Sequence, residues 1–283
     1  RTLQDFVFYD LETTGTSAAY DQPLQFAAIR TDASLQELER VEFKCRLAPH
    51  ILPAPYALVV TGINPVELAN PNLPNLFEFS QMLQKLIARW APATWIGYNT
   101  IKFDEPMLRQ TFYQNLQPQI YSTQMDGNDR LDVLPFVQTV FVKDRSLLNW
   151  PLNEKGKISF KLDMLAPENG FTSHNAHDAL GDVEATIEIT KILQNKANII
   201  WNSALKSCNK IEVDNFLTNN DIVCMDEYFF GKFNTHVVTY LCKNHFNYPQ
   251  CFDLLHDPVD YFEMSIKDLK TKIKQRPKLI REI

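Results

Sequence analysis

The stretch Phe6-Val7-Phe8-Tyr9-Asp10-Leu11-Glu12-Thr13-Thr14-Gly15 opens on an apolar, aromatic run and ends on two carboxylates. The run from Phe6 to Leu11 predicts a buried strand. Alternate side chains of a strand share a face, so Asp10 and Glu12 point the same way at its C-terminal end. Ligands of α/β sheets commonly bind at such ends. Two further candidate strands follow, Leu24 to Arg30 and Val41 to Leu47, and the turn-forming Thr14-Gly15-Thr16-Ser17 and Thr31-Asp32 separate the three.

Beyond them the pattern changes period. Phe77 to Trp90 repeats apolar residues at helical spacing, and Thr94-Trp95-Ile96-Gly97 then predicts a buried strand. Asp104-Glu105-Pro106 suits the first turn of a helix running to about Asn115. A short helix is expected from Phe160 to Glu168, stopped at Asn169-Gly170, and a long one within Ala176 to Gln194. Strands followed by helices define a mixed α/β domain over residues 1–202. After Asn202, runs such as Tyr228-Phe229-Phe230 and Val237-Val238-Thr239-Tyr240-Leu241 turn aromatic and β-branched, so residues 203–283 are expected to form a small β-rich domain.

The 283 residues carry a formal net charge of −6, which argues against nonspecific polyanion binding by the chain as a whole. Any nucleic acid must be met locally. Lys267 to Glu282 is locally basic, with seven Lys or Arg against Asp268 and Glu282, and reads first as a solvated helix face. Five scattered cysteines without a C-x-x-C pair argue against a disulfide framework or a structural zinc site. No apolar run approaches a membrane span, and the four-residue run near the N-terminus falls far short of a secretory core, so a cytoplasmic location is expected. Arg1 stands where an initiator Met would, so the chain is expected to be trimmed or incomplete.

Two same-side carboxylates suit a hard divalent cation but underfill a shell of roughly six oxygens. More acids are therefore sought elsewhere. Asp104 follows Gly97-Tyr98-Asn99-Thr100-Ile101-Lys102-Phe103 at a strand exit leading into a helix, where an Asp can also serve as an N-cap. The third segment is His174-Asn175-Ala176-His177-Asp178-Ala179-Leu180-Gly181-Asp182. Asp182 lies one turn beyond Asp178, whereas His177 and Asp182 diverge by about 140° on an ideal helix, so His177 must act from the helix mouth if both serve one site. Asp178 itself reads as a helix-start acid.

Taken in order, Asp10-x-Glu12, Asn99 to Asp104 and His177-x-x-x-x-Asp182 resemble the three motifs of the DEDDh 3′-to-5′ exonuclease family over roughly residues 5–195. The words Gln25-Phe26-Ala27-Ala28-Ile29-Arg30-Thr31-Asp32, Thr61-Gly62-Ile63-Asn64-Pro65 and Asn149-Trp150-Pro151 are similar to one branch of it, the bacterial single-strand deoxyribonucleases. The resemblance implies a ribonuclease H-like mixed sheet with flanking helices, an SH3-like barrel after it, and a further helical region that this chain, ending in or just after the barrel, is expected to lack. It implies two Mg²⁺ ions, with Mn²⁺ an alternative, held directly by Asp10, Glu12 and Asp182 and through water by Asp104. His177 becomes the general base. The implied substrate is single-stranded DNA, cut from its 3′ end to 5′-mononucleotides in DNA repair, and the implied partner is single-stranded DNA-binding protein. A monomer without membrane association is expected.

For substrate contacts, Phe103, Phe160 and Tyr113 are stacking candidates that can equally be core residues. Arg109 and Lys161 are candidates for phosphate, Lys161 standing where the family carries Arg, and Asn99 and Glu12 are further candidates for substrate contact. Thr61-Gly62 either borders the terminal nucleotide or forms an ordinary turn. An RNA-trimming relative would use the same five motif residues but lacks a second domain like residues 203–283. A catalytically silent single-strand or partner-binding protein would show a substituted Asp or His in the motifs, and none is present.

Overall fold

The computed structural model describes residues 4–172, 178–229, 232–275 and 280–282. The chain divides into two compact units, residues 1–208 and 209–283. In the first, strands β1 (Asp5–Thr13), β2 (Pro23–Thr31), β3 (Glu37–Lys44), β4 (Ala93–Gly97) and β5 (Asp129–Asp132) form one sheet in the order β3-β2-β1-β4-β5. The β1–β2 and β2–β3 pairs are antiparallel, and the β1–β4 and β4–β5 pairs are parallel. This is the mixed α/β sheet with flanking helices that the sequence predicts.

The helices of this unit are α1 (Pro55–Thr61), α2 (Pro65–Leu68), α3 (Leu76–Trp90), α4 (Asp104–Gln114), α5 (Val133–Lys143), α6 (Leu162–Glu168), α7 (Ala179–Lys196) and α8 (Asn198–Ser207). They cover both faces of the sheet, and β1 shows how. Phe6 and Phe8 belong to the core built with Val133, Val137, Val183, Ile187 and Trp201 of α5, α7 and α8. Val7, Tyr9 and Leu11 belong to the opposite core, with Phe79, Leu83 and Trp90 of α3 and Met107 and Phe112 of α4. Strand alternation therefore sends Asp10 and Glu12 to the Phe8 side, toward α7.

β1 is longer than its parallel neighbour. Its pairing with β4 runs only from Asp5↔Ala93 to Phe8↔Ile96, while its pairing with β2 continues to Thr13. Past Phe8 one edge of β1 is open, and the second acidic motif closes it.

Several expectations need correction. The third strand spans Glu37–Lys44 rather than Val41 to Leu47. As a sheet edge it carries Glu37, Glu39, Arg40 and Glu42, a charged pattern that deters further pairing and hides the strand from an apolar search. The short helix starts at Leu162, because Phe160 is engaged in an aromatic group with Phe141 and Trp150 and its carbonyl accepts from Tyr98. The long helix starts inside the expected stretch, at Ala179 behind an extended N-cap, Asp178, and runs two residues past it to Lys196. The first unit continues past Asn202 to Cys208, since Trp201 of α8 packs edge-on against Phe6 at 5.8 Å.

The second unit opens on a helix, α9 (Lys210–Thr218), followed by β6 (Val223–Phe229), β7 (Lys232–Lys243), β8 (Pro249–Asp253), α10 (Val259–Phe262), α11 (Ile266–Gln275) and β9 (Ile280–Glu282). Its strands make an antiparallel sheet in the order β6-β7-β8-β9. Leu269 and Ile273 of α11 pack on Phe252 and Tyr261, so the basic stretch is in part a helix with an apolar underside. The five cysteines are free thiols. Among the described residues no helix is long and apolar enough to cross a membrane.

Candidate active site

Asp10 and Glu12 leave β1 on the side where α7 crosses the sheet, and Asp182 stands in the first turn of that helix. The ligand atoms of these three carboxylates lie within 4.8 Å of one another. The register of α7 comes from its cap. Asp178 accepts from the Gly181 N–H within the helix, and it accepts from Gln25 Nε2 at 3.0 Å, which ties the helix mouth to β2. The positive end of the helix dipole also favours an acid such as Asp182 there.

Asp104 approaches from the other edge. As the first residue of α4 it is 3% exposed, and its Oδ1 accepts the Leu11 N–H at 3.1 Å, a donor left free where β4 stops short. It is not one of the three acids that converge, yet its charge is felt among them. Burial pushes the Glu12 carboxyl up to about 8, and the charges of Asp182, Asp104 and Asp178 add to it. Burial likewise pushes Asp104 up to about 8, against hydrogen bonds from its own N–H and from Leu11 that pull the other way. Asp10 is held well above the carboxylate range by burial and then by Asp104, Asp182, Glu12 and Asp178. Acids crowded out of water repel one another, and a divalent cation is the ligand that relieves the strain. The donor set, hard carboxylate oxygens at short mutual range, fits such an ion.

A stability prediction follows from these shifts. Groups whose folded pKa is raised bind more protons in the folded state, so their stabilising effect is complete below the unfolded pKa of about 4 and is lost as pH rises through about 8. The metal-free protein should melt at progressively lower temperature between about pH 5 and 8, and millimolar Mg²⁺ should flatten that decline. Melting curves in a chelator and in Mg²⁺ test this; a metal-free melting temperature that climbs across the window contradicts it.

Beside the three acids opens a cavity of about 420 Å³ whose wall includes Asp182 together with three residues singled out in the sequence, Asn99, Phe160 and Lys161. Asn99 adopts a left-handed φ of 63°, and its N–H donates to Asp132 Oδ1 at 2.8 Å. Asp132 also accepts from the Ile101 N–H at 3.2 Å and caps α5 through the Leu134 N–H at 3.0 Å. It thus fixes the turn that begins the second motif. Gly97 makes the same turn possible by crowding, since a Cβ there would meet Thr100 Cβ at 2.6 Å.

Sequence reasoning missed Tyr98, Gln138 and Asp163 in the cavity wall and Asp132 behind it. Gln138 was within reach, as the polar member of a face of α5 shared with Leu134. The other predicted contact residues lie outside this cavity. Arg109 Nε donates to the Glu105 carbonyl at 3.2 Å, and its guanidinium sits 5.8 Å from the Tyr121 ring centroid. Tyr113 is 66% exposed on α4, and Phe103 is that helix's half-buried N-cap. Thr61 ends α1 and Gly62 is its left-handed C-cap at φ 65°, with nothing near its absent Cβ, so conformation rather than crowding calls for glycine. The start of α1 is bound to the acidic strand's exit, the Ala54 N–H donating to the Thr14 carbonyl at 2.8 Å. His177 lies outside the described residues.

A mixed sheet with acids converging from β1 and α7, and a fourth held beside them by α4, is matched by sequence. The chain belongs to the exonuclease family, whose profile covers residues 7–190. Among individual proteins it is similar to exodeoxyribonuclease I of Escherichia coli strain K12, 40% identical over 194 residues, which is 68% of this chain and 40% of that protein. It is 37% identical to exodeoxyribonuclease I of Haemophilus influenzae over 224 residues, 75% of this chain and 45% of the relative. Among solved structures, E. coli exonuclease I in complex with a dT13 oligonucleotide superposes with a TM-score of 0.80 at 28% identity, over 99% of this chain and 63% of that one. The chain spans about half the length of the curated relatives it matches.

Proposed function

We propose that this chain carries the catalytic unit of a divalent-metal-dependent 3′-to-5′ exonuclease that hydrolyses single-stranded DNA and releases 5′-mononucleotides. The observation that carries the reading is the convergence of Asp10, Glu12 and Asp182 within 4.8 Å, with Asp182 shared with the wall of the neighbouring cavity. Asp10, Glu12 and Asp182 would hold Mg²⁺ or Mn²⁺ directly, and Asp104 through water. Two such ions supply charge neutralisation at the scissile phosphate and an activated water.

The remaining work falls to the chain's own groups. His177 takes the proton of the attacking water, as an imidazole that titrates near neutrality can. The bond from phosphorus to O3′ breaks, O3′ takes a proton from solvent to become the new 3′-hydroxyl of the shortened strand, and the water oxygen leaves on the 5′-phosphate of the released nucleotide. Lys161, exposed at the cavity rim, offers its ammonium to a backbone phosphate as a point charge without the fork of Arg. Phe160 and Asn99 border the nucleotide in the cavity. Phe103, Tyr113, Arg109 and the Thr61-Gly62 segment extend the contact along the strand, and aromatic stacking there is tolerant of sequence.

We read the second unit as an SH3-like module. A similar solved structure is an ExoI/SSB-Ct complex, and on that likeness we propose single-stranded DNA-binding protein as a partner of the full-length protein. A monomer acting in the cytoplasm in DNA repair completes the proposal.

The test is a time course with 3′-ended single-stranded DNA, duplex DNA and RNA in Mg²⁺ and in a chelator. Single-stranded DNA should shorten from its 3′ end in Mg²⁺ only. Faster loss of RNA would transfer the assignment to an RNA-trimming enzyme, and no cleavage of any substrate would leave a binding protein.

A further inference from the structure

The mechanism above uses the face of β1 that carries Asp10 and Glu12. The other face holds a buried polar group that it does not use. Glu105, 1% exposed, follows Asp104 in the first turn of α4. Its Oε1 accepts from the Tyr9 hydroxyl at 2.7 Å, and its Oε2 accepts from Thr123 Oγ1 at 2.9 Å and from Arg130 at 3.2 Å. Tyr9 in turn accepts from Thr100 Oγ1 at 2.7 Å. The Tyr9 ring is held by Trp95 and Phe26, with centroids 5.6 and 6.2 Å away, so its hydroxyl has one direction.

Tyr9 and Leu11 flank Asp10 in sequence, and each is bound to the start of α4: Tyr9 to the Glu105 side chain, Leu11 to the Asp104 side chain. The Glu105 N–H closes the same turn by donating to the Thr100 carbonyl at 2.9 Å. Asp10 is thus bracketed by two bonds to consecutive residues of another element, one from the open backbone edge of β1 at Leu11 and one from the Tyr9 side chain on the strand's other face. Burying a carboxylate is costly, and a core needing only rigidity is served as well by apolar side chains. A charged acceptor with both oxygens taken by donors from β1, β5 and the Ser122–Gln124 turn instead fixes one geometry.

We infer that Glu105 is a positioning residue for the metal site, setting the separation between Asp104 and the Asp10–Glu12–Asp182 group by locking α4 to β1 through Tyr9. Its carboxylate lies on the Tyr9 side of β1, opposite Asp10 and Glu12, and would not ligate a cation held by those acids. The inference rests on the metal-dependent reading of this site. Groups that orient metal ligands commonly cost about ten- to a hundredfold in metal affinity or activity when altered.

The test compares the wild type with Glu105→Gln, Tyr9→Phe and the double variant, each checked for a native far-ultraviolet circular dichroism spectrum. The Mg²⁺ concentration giving half of the metal-induced rise in melting temperature should increase about tenfold in each single variant. Turnover of single-stranded DNA should fall by a similar factor while KM for DNA stays within about twofold, and the double variant should be no worse than Glu105→Gln, because both act through one bond. Wild-type Mg²⁺ dependence in both variants, with only a lowered melting temperature, would overturn the inference in favour of a purely structural role. Should Glu105→Gln fail to fold, Tyr9→Phe alone decides. A wild type that binds Mg²⁺ but cleaves nothing refutes the nuclease reading, and the melting measurement still judges Glu105.

Discussion

Asp182→Asn is expected to abolish Mg²⁺-dependent hydrolysis by at least about a thousandfold, roughly 4 kcal/mol of barrier. The same variant should lose the metal-induced rise in melting temperature. Asp182 belongs both to the group of three acids and to the cavity wall, so its removal takes away a ligand where substrate and cation would meet. Metal-free, the variant should melt no lower than the wild type at pH 8, and somewhat higher. Its charge helps push the Asp10 and Glu12 carboxyls up, and neutral Asn relieves them. A dead enzyme with an improved metal-free melt is the signature of a ligand, whereas a dead enzyme with a collapsed melt indicates a fold residue. Retention of activity would falsify the metal-site assignment.

His177→Ala should behave differently. Loss of a general base costs about 10²- to 10⁴-fold in turnover. Metal binding should survive, because the three converging acids are all retained. The expected outcome is therefore a protein whose melting temperature still rises with Mg²⁺ and whose KM for single-stranded DNA is little changed, but whose turnover has nearly vanished. Residual cleavage should increase with pH as hydroxide takes over the proton transfer. Unchanged single-strand degradation by this variant rejects the general-base role.

How much of this was legible follows from the range of each interaction. The face shared by Asp10 and Glu12 can be read from strand parity alone, and the helical stretch bearing Asp182 from its period. What brings them together cannot be read this way: Gln25 reaches Asp178 across 153 positions, and Leu11 reaches Asp104 across 93. The charged β3 was displaced because an edge strand lacks the apolar signature that marks β1 and β2. Helix α5 was missed although Asp132 followed by Val133, Phe136, Val137 and Val140 is a cap and a helical stripe. Only the folded chain reveals that the same Asp132 also accepts the N–H groups of Asn99 and Ile101. Asp104 was legible as an acid at a helix start, but not as the acceptor for a strand whose neighbour ends early.

That early end gives β1 a constraint of a different kind. Its even-numbered positions, Phe6, Phe8, Asp10 and Glu12, serve one side of the sheet and its odd-numbered positions, Val7, Tyr9 and Leu11, the other. Because side chains alternate with a period of two, a one-residue insertion between Phe8 and Tyr9 would exchange the two roles at a stroke, sending acids into the oily layer and a tyrosine toward the phosphate. Residue identities along this strand can drift within their class only at purely apolar positions such as Phe6, Val7 and Phe8. Even a change of two residues, which keeps the parity, would slide Asp10 and Glu12 about 7 Å along the strand and away from Asp182 and Asp104.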